Sequence, residues 1–167
     1  MRTHPLHRTS GLLTALLCCI APLSAVVAVP EATTSAAEQT VTVIKTPPEV
    51  FTRQKLPNFV GISAETVGAR GLSMNLVVIP PGAAAEPHFH KGFESAVYVL
   101  EGRVETRFGP GLEESVITET GDFLFIPPDV PHQPINLSAT EDARAIVVRN
   151  DPNEQEHVIL YDPGHDE

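Results

Sequence analysis

The chain has 167 residues, a formal net charge of -10, 42% hydrophobic residues and no tryptophan. That length suits one domain with a substantial core, and the scarcity of aromatics leaves branched aliphatics to fill it. The negative charge repels nucleic acid and anionic lipid and no basic patch offsets it, so nucleic-acid binding is set aside.

Residues 1–28 read as a secretory signal peptide. Arg2, His4, His7 and Arg8 form a positive start, Gly11 to Ile20 is an apolar run, and Val26-Val27-Ala28 offers the small residues a signal peptidase reads. An uncleaved membrane anchor is the competing reading. Pro22 and the shortness of the uninterrupted apolar run argue against it. Leu17 before Cys18 does not fit a lipoprotein, which needs a small residue there. The expected protein is therefore cut near Ala28, secreted or periplasmic, with no membrane attachment after cleavage. Its only cysteines, Cys18 and Cys19, leave with the leader, so no disulfide or thiol chemistry is expected.

Residues 29–58 read as a lead-in. Pro30 to Gln39 is rich in Ala, Thr and Ser without periodicity. Val41 to Ile44 is a candidate edge strand. Thr46 to Asn58, with Pro47, Pro48 and Pro57, reads as irregular structure wrapped on the domain.

Residues 59–167 read as the folded domain. Leu72, Met74, Leu76 and Val78 alternate with Ser73, Asn75, Val77 and Ile79, a period of two that marks a strand. Pro80-Pro81-Gly82 stops it. Short strands follow at 96–100, 103–108, 116–118, 123–126, 132–137, 143–149 and 157–160. Turn signals separate them at Glu101-Gly102, Gly109-Pro110-Gly111, Gly121-Asp122 and Pro127-Pro128-Asp129. Eight to ten short strands, no convincing amphipathic helix and no repeat point to an all-β sandwich or barrel, whose inner face can hold a site reached from the mouth.

Chemistry concentrates in two stretches. In the first, His88 and His90 stand one residue apart. On a strand they share a face, about 6.6 Å apart along the backbone, and their imidazoles can converge on one ion. Glu94 follows and offers a carboxylate. In the second stretch, Gly121 leads to Pro127, His132 and Asn136.

Together the two stretches resemble the two motifs of the cupin superfamily. Gly82, His88, His90, Glu94 and Gly102 match the first, with the glutamate displaced by one residue, since seven residues separate it from Gly102 where the family has six, and the overall spacing from His90 is that of the longer variant. Gly121, Pro127, His132 and Asn136 match the second. Asp129 stands where the family has glycine, and Asp tolerates the left-handed turn better than most residues. The resemblance covers about residues 70–150. It implies a cupin-type jelly-roll, or double-stranded β-helix, barrel of the small single-domain kind. It also implies one divalent transition metal ion (Fe, Mn, Ni, Zn or Cu) with His88, His90, Glu94 and His132 as its ligands, and a homodimer.

Donor chemistry agrees, since imidazole suits Zn, Cu, Fe and Ni and a carboxylate adds affinity for Mn and Fe. Other side chains take plainer readings. Tyr98 reads as core-facing, Arg103 and Arg107 as outward, Glu86 and Glu105 as exposed, and His157 and His165 as solvated. Gln133 and Asn136 read either as contacts near the metal or, for Asn136, as a turn residue. Three function classes fit a small-molecule ligand at such a centre. Metal-dependent oxygen chemistry, as in a dioxygenase or oxidase, is slightly favoured. Non-oxidative isomerase, lyase or decarboxylase chemistry is the second, and non-catalytic binding of a small molecule the third.

Overall fold

Proline and glycine punctuation divides the chain into short strands. The computed structural model describes residues 40–153, 155 and 157–164. The expected leader over 1–28, the segment from Pro30 to Gln39, and His165 lie outside the described residues. In chain order the strands are β1 (Glu49–Phe51), β2 (Pro57–Ile62), β3 (Ser73–Ile79), β4 (His88–His90), β5 (Ser95–Glu101) and β6 (Arg103–Phe108). They continue with β7 (Glu114–Glu119), β8 (Phe123–Ile126), β9 (His132–Asn136), β10 (Ala143–Arg149) and β11 (Val158–Leu160). One four-residue helix, α1 (Ala64–Val67), interrupts them. Ser63 and Thr66 cap it reciprocally and Gly68 ends it in the left-handed conformation.

All pairings are antiparallel. One sheet runs β1-β2-β3-β10-β5-β8 and the other β11-β4-β9-β6-β7. Strands far apart in sequence thus lie side by side, as when β10 pairs with both β3 and β5 at positions 43 to 76 residues away. The inner faces carry the expected aliphatics. Leu56, Ile79, Ala85, Val104 and Ala143 form one buried cluster, with Val77 and Ala83 packed against it. Alternation leaves the other parity outside. Tyr98 is one of these outward residues, and its ring packs 4.7 Å from Phe123 on the outer surface. The core-facing reading of Tyr98 is corrected by its parity, because Val97 and Val99 take the inner positions of the strand.

The lead-in differs from expectation in detail. Val41 and Val43 lie exposed outside any strand. The edge strand is β1 instead, and Pro57, which has no N–H to donate, takes the first position of β2 opposite Phe51. The bend between them is tied by Thr52, whose Oγ1 donates to the Leu56 carbonyl and accepts from its N–H. It delivers Leu56 to the core and Gln54 to the barrel interior.

Two turns depend on unusual backbone. Gly102 joins β5 to β6 at φ +92, and a Cβ there would sit 2.9 Å from the Cα of Ala143, so only glycine fits. Asp129 adopts φ +61, the left-handed conformation expected of it. Its Oδ1 accepts the N–H of Gly92 and its own N–H donates to the His90 carbonyl, so the second motif's turn clamps the end of β4.

Candidate metal centre

β4 is three residues long, His-Phe-His, and alternation buries both histidines at 3% exposure. β9 pairs with β4 through a single register position, His88 opposite His132, and His132 is equally buried. A directly opposed cross-strand pair brings two side chains onto the same face. The ring centroids of His88 and His132 are 4.3 Å apart, those of His88 and His90 5.1 Å, and those of His90 and His132 5.4 Å. One nitrogen from each ring lies within 4.8 Å of the others.

The rings are prepared to coordinate. Nδ1 of His88 lies 2.8 Å from the Glu86 carbonyl, and Nδ1 of His132 lies 2.9 Å from the Val130 carbonyl. A carbonyl oxygen only accepts, so Nδ1 carries the proton in both rings and Nε2 presents its lone pair. Both ring nitrogens of His90 are buried without a hydrogen-bond partner. A buried polar atom left so costs about 1–3 kcal/mol, which ligation would offset. Burial is the chief cause holding all three imidazoles neutral. It brings the pKa of His88 down to about 3, with the neighbouring His132 adding to the shift. It brings His132 down to about 4 against the opposing pull of the Val130 carbonyl. It also lowers His90, where the Arg149 charge is the second cause. Three neutral, buried, converging imidazoles suit one divalent transition metal ion of unspecified identity.

Glu94 is not brought to this group. It is exposed, and its backbone N–H donates to Asn150 Oδ1 at 2.9 Å. The reason is strand parity: β5 begins at Ser95, which is 1% exposed, and alternation turns the residues on either side of it outward. The one-residue displacement in the first motif is therefore a change of face. The position with six residues before Gly102 is Ser95, and it does face the site. Its Oγ accepts the Nε–H of Arg149 at 2.8 Å, and Arg149 is itself buried at 6% exposure. Neither Ser95 nor Arg149 stood out in the sequence reading. The parity of Ser95 with Val97 and Val99 was the available signal.

The remaining candidates serve structure. Asn136 donates through Nδ2 to the carbonyls of Ile79, Pro80 and Glu141 and accepts the Ser138 N–H, so it ties the end of β9 to two loops. Gln133 donates to the Ala85 carbonyl. Arg103 pairs with Glu119 and Glu86 with Lys55 at the surface, and Arg107 pairs with Glu105, whose side chain is half-buried rather than exposed as expected. His157, expected to be solvated, is half-buried and places Nδ1 2.7 Å from Oδ2 of the buried Asp151.

A cavity of about 80 Å³ runs into the barrel from the histidines. His88, His132, Arg149, Gln54, Thr106 and Thr118 are its polar walls, and valine, leucine, isoleucine, alanine and proline side chains make up the rest. Among the described residues no carboxylate lines it.

Comparison with known proteins agrees with this architecture. Residues 75–149 match the family model described as a cupin domain. No curated protein sequence matches. Among solved structures, an oxalate decarboxylase from Lactobacillus farciminis in a formate complex aligns at 20% identity and a TM-score of 0.58, over 68% of this chain and 33% of its own. A recombinant oxalate oxidase in complex with glycolate aligns at 19% identity and a TM-score of 0.59, over 75% of this chain and 66% of its own. An uncharacterized conserved protein with a double-stranded beta-helix domain from Klebsiella pneumoniae aligns at 16% identity and 0.53, over 67% and 91%. The chain thus spans about a third of the decarboxylase, and at these identities the likeness is one of fold. With the two antiparallel sheets and the cluster of three histidines within the matched stretch, residues 75–149 of this chain form a cupin domain.

Proposed function

We propose that this protein is a metalloenzyme acting on a small organic molecule by oxidase- or oxygenase-type chemistry, with His88, His90 and His132 holding the metal. The observation that carries the reading is the group of three buried, neutral imidazoles, two of which, His88 and His132, line a partly open, mainly apolar cavity. A transition metal held there supplies redox or Lewis-acid chemistry and keeps coordination positions for a small ligand. The residues of the chain do the rest. The carbonyls of Glu86 and Val130 fix the ring orientations, and the aliphatic walls keep bulk water away from the centre.

Oxidative chemistry is favoured over an isomerase or lyase because the latter must move a proton, and no carboxylate among the described residues lines the cavity to take it. Glu86 and Glu105 are engaged in ion pairs with Lys55 and Arg107. The glycolate and formate complexes of the structurally similar oxidase and decarboxylase support a small molecule as the ligand. The leader expected over residues 1–28 supports a secreted or periplasmic setting. The test is oxygen consumption or product formation by the metal-loaded chain across small organic acids, phenolics and sugars. Turnover that disappears in His88→Ala supports the reading. Stoichiometric metal without turnover of any of them leaves non-catalytic binding as the function.

The partner we propose is a second copy of the chain. On the outer face of the larger sheet, one register row runs Phe59, Leu76, Ile146, Tyr98 and Phe123 across β2-β3-β10-β5-β8. The next row, from Ile62 to Phe125, is equally uncharged. Phe123 is 82% exposed. In a chain of net charge -10, two uncharged rows spanning five strands, bordered by Glu49 and by the Arg144–Glu101 pair, give a copy across a two-fold axis an apolar surface to meet. Sedimentation should show a dimer, and Phe123→Lys should shift it to monomer without changing its metal content.

A further inference from the structure

We infer that the ligand of this centre is an uncharged molecule with one aromatic ring, and that the ring lies in a cleft between the edge strands β7 and β8 with one oxygen reaching the metal past His132. The inference rests on the three histidines being metal ligands and adds the class of molecule that binds beside them.

The cleft follows from the sheet topology. β7 ends the smaller sheet and β8 ends the larger, so no strand pairing closes the barrel along this side. A turn at Thr120-Gly121 joins the two strands at the end away from the histidines. Strand parity then lines the gap. On the smaller sheet the inner row at the metal end runs His88, His132 and Phe108 across β4-β9-β6, and the next inner row runs Pro134, Thr106 and Val116 across β9-β6-β7. On the larger sheet Ile126 and Leu124 take the positions of β8 opposite the inner residues Ser95 and Val97 of β5. Pro127 and Val130, from the loop before β9, complete the wall, and exposed Phe125 stands at the rim.

The cleft encloses about 270 Å³, against about 80 Å³ for the inner cavity, and His132, Thr106, Leu124 and Ile126 stand in the walls of both. Size decides which of the two takes a ring. A dry cavity of about 150 Å³ lined by Leu, Ile and Phe binds benzene. The cleft therefore holds one ring with small substituents, and the inner cavity does not. The walls decide its polarity. They carry no charged side chain, and apart from the Thr106 hydroxyl and the neutral His132 ring every lining side chain is apolar. A carboxylate or a set of hydroxyls placed there would lose its water without gaining partners. Phe108, beside His132 in register, and Phe125 at the rim offer ring edges and faces, which an aromatic ring packs against better than a saturated one.

The experiment is calorimetric binding to the full chain loaded with zinc, a redox-silent ion. The probes are phenol, cyclohexanol and inositol, which are six-membered rings differing in flatness and polarity, and azide, a metal ligand small enough for the inner cavity. Phenol is expected to bind about 3- to 10-fold more tightly than cyclohexanol and at least about 100-fold more tightly than inositol. Val116→Trp fills the cleft from a partly exposed position on the edge strand. It should weaken phenol by at least about 10-fold and leave zinc content and azide affinity unchanged. Cyclohexanol or inositol binding as tightly as phenol to the wild-type chain overturns the inference, and that comparison does not depend on any variant folding. Unchanged phenol affinity in a folded, zinc-loaded Val116→Trp overturns it as well, as does an equal loss of phenol and azide. Failure of the wild-type chain to hold zinc, or to bind azide once loaded, overturns the metal reading beneath it.

Discussion

His132→Ala is expected to reduce metal affinity by at least about 100-fold, because loss of groups that merely orient a ligand already costs 10- to 100-fold and this change removes a ligand. The effect is large because His132 is the cross-strand partner of His88 and supplies the nitrogen from the far side of the group. Elemental analysis of protein exposed to a graded chelator reads it directly. Glu94→Ala in the same assay should retain metal as the wild type does, since the carboxylate is exposed and outside the group. Metal loss in Glu94→Ala would show that the side chain reaches the ion. Equal retention in His132→Ala would show that the three rings are not the ligands.

The second large effect is acid sensitivity of the metal-free protein. In the folded state burial lowers His88 from 6.5 to about 3 and His132 from 6.5 to about 4. The unfolded chain therefore binds protons below pH 6.5 that the folded chain does not, and stability falls as pH falls. The contribution is intact above the unfolded value of 6.5 and is lost progressively as pH drops through 6.5 toward about 4 for His132 and about 3 for His88. At about 1.4 kcal/mol per unit, His132 alone accounts for roughly 3 kcal/mol across its window. Urea midpoints of chelator-treated protein, compared between about pH 7.5 and about pH 4.5, measure the slope. His132→Ala should flatten it by removing one of the depressed groups. A bound divalent ion should shift the loss to lower pH, because protons must then compete with the metal for the same lone pairs.

Much of the architecture is legible because it rests on local chemistry. Gly102 and Gly121 mark turns whose positive φ excludes most side chains, and the strands between such turns show their period of two in residues such as Met74, Leu76 and Val78. His88-Phe89-His90 is legible for the same reason, since two residues apart on a strand means one face whatever the fold around it. β1 and the placement of Tyr98 are less so. The segment before Pro57 has no clear alternation, and Val97, Tyr98 and Val99 are all apolar enough for either side of a strand.

Sequence alone determined the all-β class, the two motifs and the three histidines, because spacing on a strand dictates face and turn residues dictate where a strand ends. Tertiary structure decided which side of the barrel each parity faces and what meets across it. That choice turned Glu94 outward and Ser95 inward, and it set Arg149, 54 residues further along the chain, against Ser95 through a register that strand pairing alone creates. Period two makes a single residue the difference between a metal ligand and a surface carboxylate. A spacing that is off by one can be read correctly only once the inner face of the strand is known.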